Sequence, residues 1–149
     1  NHRRPAVALA DLWHSARGVD TAIIEFEWTV YLDLRRSPGD CDLVRLGWSA
    51  DFIAPEAFAD VFESGHPQNT LGYHSARYDS MLERSRTATT PGERMTLIAT
   101  AEAQLLSDVA VIPVFFRVSK RLARPDVVGV RANPLGQLAS RELRLQRQQ

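Results

Sequence analysis

The chain has 149 residues, eighteen basic and eighteen acidic, for a formal net charge of +0. That length makes one domain able to bury roughly 70% of its unfolded surface, so residues 1–149 are expected to form a single domain. The charge balance argues against nucleic-acid binding, which requires a basic excess gathered on one face.

Pro5, Leu9, Leu12, Trp13 and Ala16, followed by Gly18, predict a helix with proline in its first turn and a glycine stop. From Val19 to Trp28 the pattern alternates, with Ala22, Ile24, Phe26 and Trp28 on one face, which predicts a strand. A short helix is expected over Thr29–Arg35, then a turn at Ser37-Pro38-Gly39-Asp40. Cys41–Trp48 reads as a second strand. Residues 19–48 would then be a strand–helix–strand unit with parallel pairing.

Pro55 opens a further helix to about Glu63, and residues 64–70 form a polar loop. Ser75 can cap a helix that carries Tyr78, Met81 and Leu82 on one face. Thr90-Pro91-Gly92-Glu93 is a capping box with proline at the first helical position, opening a helix with Met95, Ile98, Ala101 and Leu105 inward. Val109–Val118 ("VAVIPVFFRV") reads as a buried strand interrupted by Pro113, which cannot donate to a ladder. Val127–Val130 and Leu143–Leu145 are weaker strand candidates. The alternation of elements predicts an α/β fold.

Most catalytic chemistry finds no candidate residues. Neither GxxxxGK[ST] nor GxGxxG occurs, which leaves no phosphate cradle. His2, His14, His66 and His74 are too scattered for metal ligation, and Cys41 is the sole cysteine, excluding an internal disulfide and an all-cysteine metal site. Gly47-Trp48-Ser49-Ala50-Asp51 approaches the nucleophile elbow G-x-S-x-G, but Asp51 replaces the second glycine and no histidine follows in the required late position. Phosphate-cradle, metal and serine-hydrolase readings are therefore set aside. No apolar run nears the ~20 residues of a membrane helix.

The stretch "RLGWSADF" (residues 45–52) concentrates an arginine, a tryptophan and an aspartate around a glycine at a strand end. These groups could hold a small zwitterion. They could equally be a solvated arginine, a core tryptophan and an aspartate satisfying turn amides.

A wider series encloses that stretch. Asp42-x-x-Arg45-x-Gly47-Trp48-Ser49-Ala50-Asp51-Phe52-x-x-Pro55-x-x-Phe58 is followed by Asn69-x-x-Gly72-Tyr73-x-x-x-x-Tyr78-Asp79-x-x-Leu82, then Arg94, Ala101-Glu102, Leu105 and "VIPVFF". In order and spacing the series resembles the C-terminal part of the oligopeptide-binding proteins of bacterial ABC importers, solute-binding family 5. Leu12-Trp13 with Gly18-Val19-Asp20, and Arg124-Pro125 with Asn133-Pro134, extend the resemblance toward both ends. The resemblance implies a C-terminal lobe segment of a type II periplasmic-binding-protein, or Venus-flytrap, fold. Together with the opening on Asn1, it leads us to expect a piece of a longer or processed chain.

By position, the resemblance gives Asp51 the peptide's α-ammonium and Arg45 the C-terminal carboxylate of short peptides. It makes Trp48 the wall of a side-chain pocket and gives Ser49, beside Gly47, a mainly backbone role. Arg35 or Arg36 would be a further carboxylate-binding arginine, the turn length leaving the choice open. The implied role is to bind and deliver, not to catalyse, with no cofactor, and the implied partners are an oligopeptide, an N-terminal lobe and ABC permease subunits. The implied place is the periplasm, or a lipid anchor outside the cytoplasmic membrane. Dipeptide, nickel complex, glutathione or sugar are alternative ligands within the class, and an interaction module without ligand binding is the alternative outside it. Because the Asp–ammonium pair gains strength only where water is excluded, the 149 residues alone are expected to bind peptide weakly or not measurably.

Overall fold

A computed structural model describes residues 3–35, 39, 41–118 and 120–146. The chain divides into two compact units, residues 1–42 and 43–149.

The first unit holds two helices. α1 (Arg3–Arg17) carries its proline in the first turn and ends at Gly18, whose φ of 67° and N–H bond to the His14 carbonyl at 2.8 Å are the left-handed stop that glycine permits. An Arg3–Glu25 ion pair at 3.3 Å and a His14–Asp20 contact at 2.9 Å tie the following segment to α1. α2 (Trp28–Leu34) starts one residue earlier than the pattern suggests, because Glu27 caps it by accepting from the Thr29 N–H at 2.7 Å.

Two expectations for residues 19–48 require correction. Among the described residues, neither 19–27 nor 41–48 joins a ladder, so the parallel strand–helix–strand unit is absent here. A ladder needs a neighbour in hydrogen-bonding register, and neither run has one among the described residues. The alternation itself survives as exposure: Val44 and Leu46 are half-buried, while Leu43, Arg45 and Gly47 are exposed.

The second unit is built on a helix pair. α4 (Ala76–Arg86) is capped by Ser75, whose hydroxyl accepts from Tyr78 N–H, and α5 (Pro91–Ser107) by Thr90, whose hydroxyl accepts from Glu93 N–H at 3.2 Å. Tyr78, Met81 and Leu82 of α4 pack with Ile98, Ala101 and Leu105 of α5 in one core cluster at helical spacing, and Ser85 and Leu97 are buried as well. Met95, expected inward, is 51% exposed, and Leu97 takes a buried position instead. Against this pair packs α3 (Glu56–Ala59), continued by a 3-10 turn over Asp60–Phe62, which together bury Ala57, Ala59 and Val61.

The loop after α3 is held by side chains. Asn69 Nδ2 donates to the carbonyls of Glu63 (3.1 Å) and Tyr73 (2.7 Å), while its Oδ1 accepts from the Tyr73 N–H. Asp79 accepts from the Ser64 N–H at 3.0 Å. Arg86 binds Glu63 at 2.7 Å and Asp60 at 3.1 Å, and its guanidinium holds the Glu63 carboxyl below the ordinary carboxylate range.

The segment 109–118 also departs from expectation. Ala110 and Val111 pack on the core, but the rest is open, with Phe116 99% exposed, and none of it is laddered among the described residues. Apolarity predicts burial only when a second surface is present to cover it. The sole strand pairing described is β1 (Val127–Val128) with β2 (Arg144–Leu145), antiparallel, formed from the two weakest candidates in the sequence.

Candidate functional site

Residues 45–52 lie in the second unit, directly ahead of α3. Residues 46–51 make no backbone–backbone hydrogen bond among the described residues, so their peptide groups stand open. Five of the sequence-selected residues fall within residues 45–52 and are brought together by adjacency: Arg45, Gly47, Trp48, Ser49 and Asp51, all exposed.

Trp48 is neither a plain core residue nor a loose one. It is 39% exposed, and its indole Nε1–H donates to the Ala57 carbonyl at 2.7 Å. One edge of the ring is anchored and part of its surface remains open. Apart from its two chain neighbours, Gly47 has no described atom within 4 Å of where a Cβ would stand, so no contact among the described residues requires glycine there. Asp51 accepts no hydrogen bond and forms no ion pair among the described residues, so the turn-amide role has no bond to represent it. Arg45 has an interaction partner of its own.

Arg35 belongs to the first unit, where it closes α2. Its guanidinium lies 6.0 Å from the Tyr31 ring centroid, and its Nε is buried with no hydrogen-bond partner among the described residues. Arg36 lies outside the described residues.

The ground beneath the site is ionic and was not singled out from the sequence for this purpose. Glu56, at the start of α3, accepts from Arg94 Nε–H of α5. That bond holds the Glu56 carboxyl below its ordinary range. Arg94 stood in the recognised series, but nothing in the sequence linked it to Glu56, 38 positions away. Tyr78 donates its hydroxyl to the Ala59 carbonyl at 2.8 Å from within the core. No cluster of three or more metal-ligating side chains occurs among the described residues. No helix there is long and apolar enough to cross a membrane.

No protein-family model matches the chain. Similar proteins are nonetheless found by sequence and by structure. The chain is 35% identical over 128 residues to the periplasmic oligopeptide-binding protein OppA of Escherichia coli, covering 86% of this chain and 23% of that protein. The structure of Haemophilus influenzae OppA in complex with the peptide RPPGFSPFR superposes with a TM-score of 0.87 at 32% identity, covering 98% of this chain and 29% of that one. The E. coli murein tripeptide-binding protein MppA gives the same TM-score at 28% identity, with 99% and 29% covered. The chain thus spans about a quarter of the length of the curated relatives it matches. These relatives are periplasmic binding proteins and not enzymes. The chain is a homologue of the periplasmic peptide-binding proteins of solute-binding family 5, and it carries part of their type II periplasmic-binding-protein fold.

Proposed function

We propose that the chain belongs to the periplasmic substrate-binding component of an ABC importer that takes up oligopeptides, and that residues 45–52 form part of its ligand site. The observation that carries this reading is the run 46–51, whose open peptide groups bear the exposed Asp51 carboxylate and the half-open Trp48 ring. Main-chain groups without partners can pair with a peptide backbone whatever its side chains, and charges then select its ends. Asp51 receives the α-ammonium, Arg45 serves a carboxylate, and the open space at Gly47 admits a backbone at close range.

In this reading an N-terminal lobe closes over the site and delivery is to membrane permease subunits. Exclusion of water on closure turns the ammonium pair from a near-neutral contact into a strong one. An ammonium-bearing ligand explains Asp51, whereas a neutral sugar would not. The test compares tri-alanine with its N-acetylated form on the protein that includes this chain. We expect tight binding of the free peptide only, with Asp51→Asn erasing the preference. A preference that persists in Asp51→Asn would remove Asp51 from the site.

A further inference from the structure

The anchor on Trp48 is a backbone carbonyl that does not hold its own position. Ala57 lies in α3, which is only four residues long, and a single helical turn has little stability without tertiary support. Two contacts supply that support from the helix pair, the Tyr78 hydroxyl on the Ala59 carbonyl and Arg94 on Glu56. The second is poorly designed for stability alone. Glu56 has one oxygen bonded to Arg94, while the other, Oε2, is buried with no partner among the described residues. A half-satisfied buried carboxylate forfeits desolvation energy that an apolar pair would keep. What the pair does provide is direction: Arg94 fixes the residue directly before the one whose carbonyl holds the indole.

We infer that Glu56 and Arg94 are positioning residues for Trp48, fixing the Ala57 carbonyl so that the open face of the indole keeps a single orientation as the wall for an apolar or aromatic peptide side chain. This rests on the reading of residues 45–52 as a ligand site. The preference of the site for one peptide side chain over another would then depend on two residues that need not touch the peptide.

The experiment follows the indole N–H resonances of Trp13, Trp28 and Trp48 in the 15N-labelled chain, with Trp48 assigned through Trp48→Phe. Glu56→Gln and Arg94→Lys should each move the Trp48 resonance by more than its linewidth and leave Trp13 and Trp28 in place. Thr100→Ala, an exposed change further along α5 that removes only a hydroxyl bond to the Thr96 carbonyl, should leave all three in place. If Glu56→Gln unfolds the chain, Arg94→Lys decides alone. An unmoved Trp48 resonance in the folded pair variants overturns the inference, as does an equal shift in Thr100→Ala. Adding tri-alanine to the longer protein that includes this chain separates the two readings. Residues 45–52 indifferent to tri-alanine in that protein, alongside a Trp48 that responds to Glu56→Gln, would remove the ligand reading and keep the positioning.

Discussion

Replacing Tyr78 with phenylalanine isolates one bond in the support of the site. Tyr78 is 1% exposed, its ring packs edge-on against Tyr73 at 5.5 Å between centroids, and its hydroxyl donates to the Ala59 carbonyl at 2.8 Å. Tyr78→Phe keeps the ring, so no large cavity opens. The loss is the net worth of one hydrogen bond plus the cost of a buried carbonyl left without it, together about 1–3 kcal/mol. With a urea m-value of about 2 kcal/mol/M, the unfolding midpoint should fall by about 0.5–1.5 M at unchanged m. Leu82→Ala, at a position with 0% exposure, sets the scale for a full core deletion at about 2–5 kcal/mol. Burial also raises the Tyr78 phenol far above its ordinary value, and burial together with the Asp108 bond raises Tyr73. Folding thus favours the protonated phenols. Their contribution is complete below the unfolded value of about pH 10 and is lost as pH climbs beyond it, so Tyr78→Phe should flatten part of the alkaline decline. A Tyr78→Phe midpoint equal to wild type, with Leu82→Ala strongly destabilised, would refute the claim that this hydroxyl holds α3 to the helix pair.

At the acid end, Glu56 and Glu63 titrate below the ordinary range because Arg94 and Arg86 bond their charged forms. Stability from these groups is present above the unfolded value of about pH 4.3 and is lost as pH falls through the lower folded value. Urea midpoints of Glu63→Gln measured across that window should show a shallower decline than wild type. Thr90→Ala removes the acceptor for the Glu93 N–H and should cost about 1 kcal/mol in the same unfolding assay. Gly129 sits at φ 91°, and a Cβ there would overlap the Glu142 backbone carbonyl. Gly129→Ala should therefore break the β1–β2 pairing, seen as faster exchange of the Gln146 N–H that donates to Asp126 at 2.8 Å.

What the sequence made legible was local. Caps at Ser75 and Thr90 and the stop at Gly18 are decided within a few residues, and each stands where its chemistry places it. The α4 face likewise followed from spacing, and only Met95 was assigned to the wrong side of α5. Strand pairing was not legible, because a ladder depends on a neighbour that a one-dimensional pattern does not reveal. The runs 19–27 and 109–118 carry strand composition without a ladder among the described residues, while the weak Val127–Val128 found its partner at Arg144–Leu145. At the candidate site, adjacency alone gathered Arg45 through Asp51. The contacts that set Trp48 in place, to Ala57 and through Glu56 to Arg94, span 9 and 38 positions and leave no periodic trace.

The most direct test of the central claim is a titration of the 15N-labelled chain with tri-alanine at millimolar concentration, with N-acetyl-tri-alanine as control. Weak shifts clustered on residues 45–52 that vanish on acetylation are the predicted result, and they would place the peptide's ammonium at Asp51. Shifts indifferent to acetylation, or confined to residues elsewhere, would contradict it.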